Sequence, residues 1–131
     1  MLRGLVLDYA GVLTDPDATA LFEALDLLRD RGIKTALLSN APGASGPAKR
    51  RLEPFFDALV FSGEVGVAKP DARVFLLTAD RIGLPPEHCA FVDDSAGNVR
   101  GAVAAGMVGV HHTSVNATLL ELDALFAERS A

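Results

Sequence analysis

Five short apolar runs, separated by helical patterns, constrain this chain more than any other feature. The runs cover residues 2–7, 33–38, 58–61, 89–92 and 107–110. Within them apolar residues follow one another instead of alternating with polar ones. A strand with one wet face alternates, whereas a strand covered on both faces does not. Between the runs, Leu21, Leu25 and Leu28 recur at helical spacing over 17–31, and Arg31-Gly32 closes that segment. A short basic helix is predicted over 47–52, and longer ones over 70–82, 95–105 and 116–128. Pro70-Asp71 opens the second of these, and Gly83 with Pro85-Pro86 stops it. The last turns Leu119, Leu122, Leu125 and Phe126 inward. Residues 41–47, rich in Gly, Pro and Ser, read as a loop. The fold class is therefore α/β: a three-layer sandwich around a five-stranded parallel sheet.

The length of 131 residues suits a single domain spanning 1–131, with no linker, repeat or low-complexity segment. A net charge of −5 disfavours nucleic acid and anionic lipid as partners. The single Cys89 excludes an internal disulfide and fits a reducing compartment. Too few apolar residues precede Asp8 for a signal-peptide core, and the apolar stretch 101–110 is about half a bilayer span. The expectation is a soluble, cytoplasmic protein with no nucleic-acid or membrane partner. A chain that is 50% hydrophobic is compatible with a homodimer.

In open parallel sheets, ligands bind beyond the carboxyl ends of the strands. Polar residues collect there: Asp8 after the first run, Ser39-Asn40 after the second, Asp93-Asp94 after the fourth. Three carboxylates in one pocket raise one another's pKa, and a divalent cation relieves them. Ligation by oxygen alone suits Mg²⁺, which readily takes a substrate phosphate as a further ligand. Ser39 and Lys69 offer a hydroxyl and a positive charge to an anion, and the loop after Asn40 leaves backbone N–H groups free.

Four segments together resemble the haloacid dehalogenase superfamily. Val6-Leu7-Asp8-Tyr9-Ala10-Gly11-Val12-Leu13 is similar to its first motif, Leu37-Leu38-Ser39-Asn40 to the second, Lys69-Pro70-Asp71 with Phe75 to the third, and Val92-Asp93-Asp94-Ser95-Ala96-Gly97-Asn98 to the fourth. The resemblance implies that Asp8 is a nucleophile forming an aspartyl-phosphate. It implies Mg²⁺ held by Asp8, the Ala10 backbone carbonyl, Asp94 and, through water, Asp93. It gives Ser39 and Asn40 to the phosphoryl group, and Lys69 to the charge between nucleophile and phosphate.

Two departures qualify what the resemblance implies. Phosphatases of the family place a second Asp where this chain has Ala10, and general acid–base catalysis is commonly worth about 10²–10⁴-fold. Weak or restricted phosphohydrolase turnover is therefore expected. The alternative is a non-catalytic module binding Mg²⁺ and phosphate. A further alternative, 2-haloacid dehalogenation, fits Ala10 but not the two acids Asp93-Asp94. The second departure is size: neither the stretch after Thr14 nor that between Asn40 and Lys69 leaves room for a cap domain. An open site suits a large phosphorylated substrate, such as a phosphoprotein or long glycan.

Plainer roles compete for several of these residues. Asp8 and Asp94 are also helix-capping types, Ser39 a turn former, and Lys69 a surface lysine. Asn98 reads equally as support for the acid pair or as surface. His111 and His112 read as edge residues, Cys89 as a small buried apolar residue, and Lys49-Arg50-Arg51 as a solvated helix face.

Overall fold

The apolar runs form a five-stranded sheet, parallel throughout, in the order β3-β2-β1-β4-β5. Its strands are β1 (Gly4–Leu7), β2 (Lys34–Ser39), β3 (Ala58–Phe61), β4 (Cys89–Asp93) and β5 (Val108–His111). The computed structural model describes residues 1–127. Leu7 of β1 stands beside Leu37 of β2 and Val92 of β4, so the three central strands end on one level. From β1 the chain builds toward one edge through β2 and β3, and then toward the other through β4 and β5. That reversal leaves a crevice beyond the strand ends.

Successive strand residues point to opposite faces, and both faces are packed. Leu5 and Leu7 enter a layer with Leu21 and Leu25 of α1 (Thr19–Asp30) and Leu122 of α6 (Val115–Leu125). Val6 enters the opposite layer with Val74 and Phe75 of α4 (Ala72–Arg81) and Ala102 of α5 (Ala96–Ala104). Phe75 meets Phe91 of β4 edge-on, with ring centroids 5.0 Å apart. The close approach of α5 requires Gly101, since a Cβ there would stand 2.6 Å from the Pro70 carbonyl oxygen.

Helix starts differ from expectation by one or two residues. The pattern over 17–31 becomes helix only at Thr19, because Asp15 accepts the Asp17 N–H and the Ala18 N–H in a preceding turn. Asp71 lies outside α4 and caps it by accepting from the Arg73 N–H. Ser95 and Ser114 cap α5 and α6 in the same manner, each satisfying a donor that the helix leaves orphaned. Leu122 and, one residue past α6, Phe126 are buried while Leu119 and Leu125 are half-buried; α6 ends at Leu125, and the predicted end at 128 lies outside the described residues.

Between β2 and α4 lie the short basic helix α2 (Gly46–Leu52), β3 and a single turn, α3 (Ser62–Val65). One turn shows no periodicity, so α3 left no signal in the sequence. His112 is more than an edge residue: it is buried, with Nδ1 2.7 Å from the Thr118 hydroxyl and Nε2 3.5 Å from an Asp15 carboxylate oxygen, and so ties the end of β5 to α6. Cys89 is buried as expected, and burial followed by Glu87 pushes its thiol up to about 11. No helix among the described residues is long and apolar enough to cross a membrane.

Candidate active site

Asp8 stands one residue beyond β1, where its N–H donates to the Val92 carbonyl (3.0 Å) and prolongs the ladder by one step. Strand geometry then stops. Tyr9–Leu13 form a wide turn in which Ala10 is extended (φ −66, ψ 127) and Gly11 is left-handed (φ 83). The Gly11 N–H donates to the Thr14 hydroxyl at 2.9 Å. A Cβ at position 11 would lie 2.1 Å from Asp94 Oδ2. Glycine alone permits both the backbone conformation and the approach of Asp94.

Lys69 forms the floor of the site. It is buried, and Nζ donates to Asp8 Oδ1 (2.7 Å), Asp93 Oδ2 (2.9 Å) and the Leu38 carbonyl (3.0 Å). An ammonium has three protons, and here the protein takes all of them. Lys69 thus neutralises carboxylates from beneath, and in this arrangement no donor remains for a phosphoryl oxygen. Asn40 is likewise committed: its Oδ1 accepts the Lys69 N–H and its Nδ2 donates to the Lys69 carbonyl, both at 3.0 Å. The sequence offered both residues to phosphate; the structure gives Asn40 the work of positioning Lys69, and Lys69 that of holding two acids.

The paired acids divide their labour. Asp93 is the last residue of β4 and fully buried. Its Oδ1 accepts the Ser95 N–H at 2.9 Å, and its Oδ2 accepts from Lys69 and from Asn98 Nδ2 at 3.1 Å. Asn98 is therefore support for the acid pair. Ser95, not Asp94, caps α5. Asp94 is exposed, and its carboxylate accepts no hydrogen bond among the described residues. The Ser39 hydroxyl, at the end of β2, is also without a partner among them.

Carboxylate oxygens of Asp8, Asp93 and Asp94 lie within 4.8 Å of one another. One ammonium faces three acids. Burial pushes the Asp8 carboxyl up to about 6 against the pull of Lys69, and the charge of Asp93 adds to the rise. Burial opposes ionisation of Asp93 too, but the Ser95 N–H, Lys69 and Asn98 outweigh it and hold this acid below the usual carboxylate range. The donor set is oxygen only and carries excess negative charge, which fits a hard divalent cation such as Mg²⁺. Asp94, whose carboxylate has no hydrogen-bond partner among the described residues, and Asp8 beside it are the groups that could hold it.

This electrostatic imbalance predicts a pH-dependent response to Mg²⁺. An acid with a raised folded pKa takes up a proton on folding, so its contribution to stability falls as pH rises from the usual 3.8 to about 6 and stays low above that. A cation bound to the carboxylate removes that penalty. Saturating Mg²⁺ is expected to raise the melting temperature by several degrees at pH 7.5 and by clearly less at pH 5. Thermal melts at the two pH values check this, and equal shifts would contradict it.

One feature beside the acids left no trace in the sequence. A cavity of about 480 Å³ opens next to Tyr9 and Ser39, walled mostly by apolar side chains from α1, α2 and the segment between β2 and β3.

Comparison with known proteins identifies the family. The haloacid dehalogenase-like hydrolase family matches residues 6–106, and the chain belongs to that family. It is 33% identical over 110 residues to a phosphorylated carbohydrates phosphatase of Thermotoga maritima, covering 79% of this chain and 51% of that protein. It is 32% identical over 110 residues to the sesquiterpene phosphatase astK of Aspergillus oryzae, covering 82% and 56%. The chain thus spans about half the length of the curated relatives it matches. An uncharacterized protein from Corynebacterium glutamicum has a similar crystal structure, with 43% identity, a TM-score of 0.91 and coverage of 100% of this chain and 99% of that one.

Proposed function

We infer that the protein is a phosphohydrolase acting through an aspartyl-phosphate at Asp8. The observation that carries this reading is the state of Asp8: Lys69 fixes one carboxylate oxygen at 2.7 Å, and an oxygen of the same carboxylate lies within 4.8 Å of those of Asp93 and Asp94. A carboxylate so held has one oxygen oriented for attack at phosphorus. Burial that lifts its pKa also strips water from it, which favours nucleophilic attack once it is ionised. Relatives whose names describe phosphatases support the same chemistry.

The remaining roles follow from position. The unpartnered Ser39 hydroxyl is placed to donate to a phosphoryl oxygen, and Asn40 keeps Lys69 in register. Asp8, Asp94 and the Ala10 carbonyl, with Asp93 behind them, are the ligands we assign to Mg²⁺. When bound, Mg²⁺ would neutralise phosphate charge against these acids. Ala10 supplies no proton to the leaving oxygen, so turnover depends on leaving groups that depart as anions. We read the chain as a core without a cap, with its site open to solvent on the side of the Tyr9–Leu13 turn.

Acetyl phosphate tests this reading, because its leaving group is stable without a proton. The expected result is hydrolysis that requires Mg²⁺ and stops in EDTA. A second reading, a domain that binds Mg²⁺ and phosphate without turnover, draws its support from Ala10. It would be favoured by Mg²⁺-dependent phosphate binding with no acetyl phosphate hydrolysis.

A further inference from the structure

The cavity beside Asp8 has a composition that selects a leaving group. It is about 480 Å³, within the roughly 300–1,000 Å³ range of small-molecule sites. Phe22, Phe55 and Phe61 supply aromatic surface, with Phe22 and Phe55 in edge contact at 4.8 Å. The same lining includes Ala41, Gly43, Ala44 and Ala48, whose side chains are too small to fill the space. Tyr9 and Ser39 join it to the crevice that holds Asp8.

Only three side chains in this lining carry polar groups: Tyr9, Ser39 and Arg51. None is a carboxyl or an imidazole, so nothing here hands a proton to a departing oxygen near neutral pH. A phenol ionises near pH 10, whereas an aliphatic alcohol is about as weak an acid as water itself. Three polar side chains are too few to satisfy the several hydroxyls of a sugar, and burying the rest unbonded is costly. Arg51 is exposed and has no ion-pair partner among the described residues. Its guanidinium can stack on a ring or face an anionic substituent.

Building on the phosphohydrolase reading above, we propose that the substrate is a small-molecule aryl phosphate whose ring occupies this cavity. A carboxylate oxygen of Asp8 forms a bond to phosphorus while the bond from phosphorus to the aryl oxygen breaks. The aryl oxide leaves with the electron pair and takes its proton from solvent. Water then adds to the phosphorus of the aspartyl-phosphate, which releases inorganic phosphate and restores the Asp8 carboxylate.

The test compares 1-naphthyl, phenyl and hexyl phosphates with acetyl phosphate, in the presence of Mg²⁺. The expected order in kcat/KM puts 1-naphthyl about 10-fold above phenyl phosphate. Hexyl phosphate, equally apolar but a poor leaving group, falls about 10²-fold or more below phenyl phosphate. Ala48→Phe, which fills the cavity, is expected to lower the naphthyl-to-acetyl ratio about 10-fold; a ratio is insensitive to the folded fraction. Hexyl phosphate matching naphthyl phosphate, an unchanged ratio in Ala48→Phe, or a phosphotyrosine peptide outrunning naphthyl phosphate would each overturn the proposal. Absence of acetyl phosphate hydrolysis would instead sink the phosphohydrolase reading. The cavity is then judged by calorimetry with naphthylmethylphosphonate and methylphosphonate. Binding of the former about 10-fold tighter, lost in Ala48→Phe, supports the aryl subsite, and equal affinities overturn it.

Discussion

Asp8→Asn is expected to lower acetyl phosphate turnover by at least about 10³-fold and, in the same variant, to raise the melting temperature of the metal-free protein. The first effect follows from chemistry. An amide oxygen is a far weaker nucleophile than a carboxylate, so the covalent route closes and only binding and orientation remain to assist water. The second follows from the charge count at the floor of the site. Lys69 is shared between Asp8 and Asp93, and Asp94 adds a third acid within 4.8 Å. Burial already pushes the Asp8 carboxyl up to about 6, so at pH 7.5 the ionised form is held at a cost. Asparagine has nearly the same shape and keeps an oxygen that accepts from Lys69, which stays paired with Asp93. Function and stability therefore pull in opposite directions at this residue, as they commonly do where a site stores unfavourable charge. Steady-state kinetics with Mg²⁺, and thermal melts in EDTA, check the two halves separately. A lower melting temperature would mean that the pair with Lys69 outweighs the burial of Asp8. Retained turnover would remove Asp8 from the nucleophile's place.

The sheet and the identity of its terminal acids were legible in the sequence because one cause produces both. Strands buried on two faces are largely apolar, so the first polar residue after Leu7, Leu38 and Val92 marks the level of the crevice. The small errors have a physical pattern. Ser39 and Asp93 were read as lying beyond their strands, yet each is the last strand residue, because the ladder is set by backbone partners and not by side-chain polarity. Ser39 stands beside Phe61, and Asp93 beside His111. The roles of Asn40 and Lys69 were less legible. Their clasp joins residues 29 positions apart through an amide and a backbone, and no local pattern encodes it. Capping of α5 by Ser95 was not legible, because the helix was expected to begin at Ser95 itself with Asp94 as its capping residue. The cavity was not legible at all. It is made by what is missing, the side-chain volume of Ala41, Gly43, Ala44 and Ala48, set against phenylalanines brought from three other segments.

Ala10→Asp is expected to raise kcat/KM for hexyl phosphate by about 10²–10⁴-fold while changing that for acetyl phosphate far less. The backbone offers no obstacle. Position 10 is exposed and extended, with φ −66 and ψ 127, a conformation that any L-residue adopts. The new carboxyl would stand in the turn that follows Asp8, close to three existing acids, and their charge would lift its pKa toward neutrality. A carboxyl still protonated near pH 6 to 7 is suited to hand its proton to a departing alkoxide. The gain must therefore scale with how much the leaving group needs that proton: large for an alcohol, small for acetate, intermediate for a phenol. Because kcat/KM reports steps up to the first irreversible one, the comparison isolates phosphoryl transfer from later hydrolysis of the aspartyl-phosphate. Equal gains on all three substrates would place the new acid at the second step, activating water. No gain on any would mean that position 10 does not reach the leaving oxygen, and restricted turnover would then need another cause. Activity on acetyl phosphate that appears only in Ala10→Asp would identify the wild-type domain as a binding scaffold, since a leaving group that needs no proton would have exposed any competence the Asp8 site retains.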